Sequence, residues 1–399
     1  MKLLIAANSP GEVAWVRPLA RRMSERGGSC DILLYPCTFA TGREAEVLSS
    51  FPGVHRVWQT RQLPGLWWRR QSEYPAGTPL LHLGGDLFYT AAFQLRYGWR
   101  CWSYLWARPW WDRCFEGYFS RNEASTCGIL RRKVDPSKIC EVGDFVVDTC
   151  RLAVPRLPAC RPRCLALLPG SRPEEARRLI PFYARVAELL QERCGDLEFV
   201  APISPFLSHS MLQTELDRRP DARFDYAPGR LEPNAYQTDR GVRLELVREE
   251  SLARLSEAAL AVSLPGTKTA EAGALGVPVL CIVPLNAPEY LPSVGLLGLL
   301  DWVPGARGLK GQVILRQRQR IGLLAQPYQL LGEALIPELV DELSAEDVAR
   351  AILDTGFPSM AGQARPRLLQ AYEALAGCSE KILDRLFGPE GQINEGQIR

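Results

Sequence analysis

The chain of 399 residues has no apolar run of the roughly 18 residues that a membrane-spanning helix needs. Its apolar start, Leu3 to Ala7, is too short for a signal peptide and is broken by Asn8, Pro10 and Glu12. A cytoplasmic protein is therefore expected. The twelve cysteines are scattered and contain no Cys-x-x-Cys pair, Cys160 and Cys164 standing alone. That spacing excludes a zinc ribbon and a disulfide framework, and leaves buried reduced thiols. No Asp-x-Asp pair occurs, so no site for a diphosphate-bound Mg²⁺ is visible, and neither metal nor cofactor is expected. The net charge is only +3, which implies no nucleic-acid partner.

What is present is a repeated alternation of strand and helix patterns. Lys2–Ala7, Cys30–Leu34, Val54–Val57, Leu80–Leu83 and Gly117–Ser120 read as strands, with helices over Val13–Gly27 and near Thr41–Ser50. Val154 to Pro162 holds three prolines in nine residues, which neither extend a helix nor pair in a central strand. The alternation then restarts with strands at Cys164–Leu168, Leu197–Ala201, Val242–Val247, Ala259–Ser263 and Val277–Val283, and a long helix over Glu174–Arg193. Ser344 and Asp347 are spaced as a capping pair for a helix over Ala345–Asp354. A last helical pattern runs from Arg365 to Phe387, and residues 218–241 and 303–312 read as loops. This order predicts an α/β chain: an N-terminal Rossmann-like domain over 1–153, a linker over 154–162, a second such domain over 163–356, and a C-terminal helix and tail over 357–399. Ligands are expected outside the carboxyl ends of the strands, in a cleft between two facing doubly wound domains.

Two corners carry the chemistry. Cys164–Leu168 runs straight into Pro169-Gly170-Ser171-Arg172 and a Glu-rich helix; Ala259–Ser263 runs into Leu264-Pro265-Gly266-Thr267 and the helix-forming Lys268 to Leu275. A strand, a glycine turn and a helix N-terminus offer backbone N–H groups and a positive dipole end to phosphate. Arg172 adds a guanidinium suited to bidentate phosphate contact. The bland alternative is Ser171 as an ordinary N-cap beside a surface arginine. Glu271, one turn into the second helix, could complement the helix dipole or accept hydrogen bonds from a diol. Lys268 reads as solvated, with phosphate contact as the lesser alternative.

These segments resemble those of lipid-A-disaccharide synthase, a glycosyltransferase family with two facing Rossmann-like domains, the GT-B fold. Leu167 to Arg172 is similar to the family's phosphate turn, Leu264 to Glu271 to its Ser-Gly-Thr-x-x-x-Glu segment, and Ile336 to Ala349 to its Pro-Glu-Leu block. The resemblance is thinner before the linker. Ala7-Asn-Ser-Pro-Gly-Glu12 stands at an Ala-Gly-Glu-x-Ser-Gly-Asp loop, and Leu83-Gly-Gly-Asp86 at a Gly-Ile-Asp segment. Pro327-Tyr328-Gln329 stands at a Leu-Pro-Asn segment.

The resemblance implies a UDP-sugar donor held by Gly170, Ser171, Arg172, Gly266, Thr267, Glu271 and Gln329, with Glu271 on the ribose hydroxyls. It implies an acceptor loop of Asn8, Ser9 and Gly11, a lipid-linked acceptor, and inversion by direct displacement. Asp86 is the candidate general base, with Glu12 its rival. Their alternatives are a turn-forming aspartate or a helix N-cap for Asp86, and acceptor binding or a dipole partner for Glu12. His82, inside its strand, reads as a core histidine.

Eight of the ten tryptophans lie between Trp58 and Trp111, among eight arginines from Arg56 to Arg113. Trp67, Trp68, Arg69, Arg70, Trp106, Trp110 and Trp111 are the candidate interface with an anionic membrane, where rings sit at headgroup level and guanidinium groups meet phosphates. The alternative is a tryptophan-filled core under a basic face. The expectation is thus a metal-independent inverting glycosyltransferase lying on the inner face of the membrane. A UDP-sugar epimerase of the same fold and a binding scaffold without turnover are the competing readings.

Overall fold

Leu3 to Ala7 is apolar throughout and wholly buried, as expected of a central strand covered on both faces. In the computed structural model, which describes residues 1–37, 40–68, 74–287 and 322–388, this run is strand β1, Lys2–Ala7. It is followed by β2 (Ser29–Leu34), β3 (Val54–Trp58), β4 (Pro79–His82), β5 (Arg100–Tyr104), β6 (Gly117–Ser120) and β7 (Ile139–Glu141). They form one sheet in the order β3-β2-β1-β4-β5-β6-β7, every pair parallel.

The second sheet holds β8 (Arg161–Leu168), β9 (Glu198–Pro202), β10 (Gly229–Glu232), β11 (Ala235–Thr238), β12 (Arg243–Val247), β13 (Ala258–Ser263), β14 (Val279–Pro284) and β15 (Leu339–Asp341). Its order is β10-β11-β12-β9-β8-β13-β14-β15, and only the β10–β11 and β11–β12 pairs are antiparallel. Each sheet therefore reverses its winding beside its first strand, between β1 and β4 and between β8 and β13. Such a switch point is where doubly wound sheets take ligands, because the connecting segments diverge there.

The chain divides into two units. One is Met1–Leu152 together with the chain from Glu373; the other is Ala153–Tyr372. The proline-rich stretch has no regular structure until β8 begins at Arg161. Arg365 fastens it from within the second unit, donating to the carbonyls of Pro158 and Ser256 at 2.9 and 3.0 Å.

The structure adds to and departs from the sequence reading in several places. β5 and β7 were not anticipated, and the polar stretch 218–241 holds the β10–β11 hairpin. The C-terminal helical pattern is two helices, Phe357–Glu373 and Cys378–Phe387, parted where Gly377 takes a left-handed φ of 78°. The second helix belongs to the first unit, where Asp148 accepts the N–H groups of Gly377 and Ser379 and Arg26 pairs with Asp384 at 2.7 Å. Residues 303–312, Arg69 and Arg70 lie outside the described residues.

Candidate functional site

In the second unit, Leu168 and Ser263 are paired residues at the ends of β8 and β13. Both glycine turns therefore leave the sheet side by side, at its switch point. Gly170 has φ +88° and Gly266 φ +144°, conformations that a side chain would strain. Arg172, not Ser171, is the N-cap of the helix Pro173–Cys194. Glu175 folds back over the turn: its carboxylate accepts the N–H groups of Ser171 at 3.2 Å and Arg172 at 3.4 Å, and the guanidinium of Arg172 at 3.1 Å. These two amides are thus engaged rather than free, a correction to the sequence reading with a plain cause. A glutamate three residues past the N-cap can reach back to unpaired N–H groups.

The neighbouring helix, Thr267–Ala274, carries Thr267 in its first position and Glu271 one turn on. Glu271 is 9% exposed, so it is not the surface acid of the bland reading. Lys268, expected to be solvated, bonds it instead, with 2.6 Å between ammonium and carboxylate. Burial of the acid explains this, since a desolvated carboxylate needs a charged or hydrogen-bonding partner. Gln329 lies on the helix Gln326–Leu331, which joins this corner through a 3.1 Å bond from the N–H of Gln326 to Thr269 Oγ1. The amide of Gln329 itself donates to the carbonyl of Leu323 at 2.7 Å.

The switch point of the first unit brings together the loops after β1 and β4. Ser9 caps the helix Pro10–Glu25, and Glu12 accepts its N–H at 3.2 Å and also its hydroxyl. A methyl group on Gly84 would stand 2.6 Å from Glu12 Cγ and 2.8 Å from Asn8 Oδ1, so the two loops touch at van der Waals closeness. Glu12 and Asn8 are half-buried there, beside Gly11. Burial raises the pKa of Glu12 despite its backbone hydrogen bonds. Asp86 is exposed and caps the helix Leu87–Tyr97, accepting the N–H of Phe88 at 2.8 Å. Beneath it, His82 is fully buried and bonds Thr90 Oγ1 at 2.9 Å through Nδ1; burial pushes its pKa down to about 4. The same threonine oxygen bonds the Tyr35 hydroxyl at 2.9 Å.

The tryptophan pairs split. Trp67 packs on Phe93, with ring centres 5.6 Å apart, while Trp68 is 78% exposed. Trp111 packs on Phe88 at 6.0 Å, while Trp110 is 64% exposed with the Arg108 guanidinium 5.9 Å from its ring. Trp106 is also exposed; Trp99 and Trp102 are core. Phe88 and Leu95, on one face of their helix at a spacing of seven, add exposed apolar area that the sequence reading missed. Glu175 was missed too, although its i+3 spacing from Arg172 was a readable signal. Among the described residues, no group of three or more His, Cys, Asp or Glu side chains is placed to hold a metal ion.

Two doubly wound units, each with glycine-bearing loops at its switch point, define a GT-B chain. Solved structures bear this out at low identity. UDP-GlcNAc 2-epimerase from Neisseria meningitidis, bound to UDP-GlcNAc, matches with a TM-score of 0.56 at 13% identity, covering 97% of this chain and 99% of that one. S. aureus MnaA, solved with UDP, matches at 0.53 and 12%, covering 96% and 95%. In sequence the chain is similar to curated lipid-A-disaccharide synthases. That of Anaeromyxobacter dehalogenans (strain 2CP-C) is 30% identical over 182 residues, 44% of this chain and 42% of the relative. That of Geobacter sulfurreducens is 25% identical over 226 residues, 55% and 47%. The chain thus spans less than half the length of these relatives. No protein-family model matches it.

Proposed function

We propose that this chain is a GT-B glycosyltransferase of the lipid-A-disaccharide synthase type, moving a glucosamine-type sugar, acylated or not, from a UDP-sugar to a lipid-linked acceptor. The observation that carries the reading is the pair of glycine turns on adjacent strands β8 and β13, with Arg172 on one and Glu271 on the other. Gly170, Ser171, Arg172, Gly266 and Thr267 would hold the diphosphate and Glu271 the ribose, with Gln329 nearby. In the first unit, Asn8, Ser9 and Gly11 would meet the acceptor.

The step is a direct displacement. The acceptor hydroxyl oxygen forms a bond to the anomeric carbon, the bond from that carbon to the phosphate oxygen breaks, and UDP leaves with the electron pair. The hydroxyl proton passes to a carboxylate. Asp86 is the better candidate, because it is exposed while Glu12 is half-buried in its cap. Arg172 and the helix N-termini would stabilise the leaving diphosphate without a metal ion.

Trp68, Trp106 and Trp110, with Phe88, Leu95 and Arg108, would rest on an anionic membrane surface, where exposed aromatic rings and cations are both accommodated. No described helix is long and apolar enough to cross a membrane. The fold of the UDP-GlcNAc 2-epimerases supports a second reading, epimerisation of a UDP-sugar without an acceptor.

Calorimetry tests the donor site. UDP should bind the wild type, and Arg172→Ala or Glu271→Ala should weaken it at least tenfold, about 1.4 kcal/mol. Equal affinity in all three would contradict the assignment. Incubation with UDP-N-acetylglucosamine alone, followed by NMR, separates the readings: a new hexosamine would favour the epimerase.

A further inference from the structure

The two turns at the β8–β13 switch point are copies of one short pattern. Gly170-Ser171-Arg172-Pro173-Glu174-Glu175 and Gly266-Thr267-Lys268-Thr269-Ala270-Glu271 both read glycine, hydroxyl, cation, two residues, glutamate. Each copy follows one strand of an adjacent parallel pair, and each opens on a glycine of positive φ. In each, the cation is bound by the glutamate three residues on. Arg172 Nη1 lies 3.1 Å from Glu175 Oε1, and Lys268 Nζ lies 2.6 Å from Glu271 Oε2.

We infer that Lys268 is a second phosphate-binding cation of the donor site, held by Glu271 until the diphosphate of the nucleotide takes it over. The inference rests on the donor reading above and states what this lysine adds to it. Neighbouring strands in a sheet lie about 4.8 Å apart, so the corners after β8 and β13 bring Arg172 and Lys268 to one edge of the sheet, where a diphosphate would offer each a phosphoryl group. An ammonium on a flexible four-carbon stem can turn from a carboxylate to a phosphate without moving the backbone. Glu271 is nearly buried, so it cannot give up a charged donor without cost. The vicinal hydroxyls of a ribose supply two donors in its place. Phosphate thus draws the lysine off the glutamate, and ribose refills the glutamate. Arg172 can leave Glu175 for phosphate as well; Glu175, less buried than Glu271, then turns to water, and the amides of Ser171 and Arg172 are opened to phosphate oxygens. The device favours a nucleoside diphosphate over its separate parts, because each part satisfies the group that the other displaces.

The test titrates the full chain with UDP, inorganic pyrophosphate and uridine, comparing wild type with Lys268→Met and Lys268→Arg. Lys268→Met should weaken UDP and pyrophosphate at least tenfold and leave uridine unchanged or tighter; Lys268→Arg should keep most UDP affinity. If Lys268→Met weakens uridine as much as UDP, the lysine merely orders Glu271 and the inference is wrong. It is equally wrong if UDP affinity is unchanged. A wild type that fails to bind UDP overturns the donor reading itself, an outcome visible before any variant is made. Should Lys268→Met not fold, Lys268→Gln takes its place with the same expected pattern.

Discussion

Leu168 and Ser263 face each other at the ends of two parallel strands, and this pairing sets two glycine corners side by side. Residues nearly a hundred positions apart thereby share one anion-receptive edge, because a parallel sheet aligns the carboxyl ends of its strands and the helix N-termini that follow them.

A side chain on the glycine of the corner after β8 would be strained and would push Glu175 aside. A methyl group at Gly170 would lie 2.3 Å from Glu175 Oε2, on a backbone with φ +88°. Gly170→Ala should therefore cost more than about 1 kcal/mol of stability and detach Glu175 from the Ser171 and Arg172 amides. Denaturant unfolding together with UDP titration reads both effects, and a variant as stable and as tight-binding as wild type would contradict them.

His82 should make stability depend on pH. Its pKa falls from 6.5 to about 4 on burial, so the unfolded chain binds the proton more readily. The stability is fully present above 6.5 and is lost as pH falls through about 4, a change of about 3 kcal/mol. His82→Gln should remove most of that slope even if it lowers stability overall. Urea midpoints measured between pH 4 and 7 check it, and an unchanged slope would refute the assignment to His82.

Glu12 carries the opposite sign. Its folded pKa is raised above 4.5, so its protonated form is favoured on folding, and that contribution is lost as pH rises through the folded value. Glu12→Gln should gain on wild type as pH rises from 4.5 toward 8, read by thermal unfolding across that range. A variant that loses ground to wild type as pH rises would contradict this.

The exposed rings should govern attachment to membranes. Trp68→Ala with Trp110→Ala should weaken sedimentation with phosphatidylglycerol vesicles at least tenfold and leave the melting temperature close to wild type. Trp67→Ala should instead lower the melting temperature, because its ring packs on Phe93. Full vesicle binding by the double variant would remove the membrane face.

Much of this arrangement was legible in the sequence, and the limits have physical causes. β1, β6 and the helix Ala345–Asp354 are found at the residues expected, since apolar runs and a Ser344–Asp347 cap are local signals. β5 escaped notice because Arg100-Cys-Trp-Ser-Tyr104 mixes a cation and a hydroxyl into an otherwise buried strand. β10 and β11 pair at a polar edge, where no apolar run marks them. Neighbouring residues on a short helix face different ways, so Trp67 and Trp111 pack partly buried against the core while Trp68 and Trp110 are exposed. Both corners could be read from glycine and hydroxyl residues. The i+3 spacing of Glu175 from Arg172 and of Glu271 from Lys268 permits an ion pair, but whether each carboxylate folds onto its cation depends on burial and on side-chain direction, which spacing does not show.

Amide hydrogen exchange of the full chain, with and without saturating UDP, tests the central claim most directly. The account predicts slowed exchange in 168–175 and 263–272, the two corners, when UDP is bound. Protection confined to other segments, with UDP binding established by calorimetry, would contradict it.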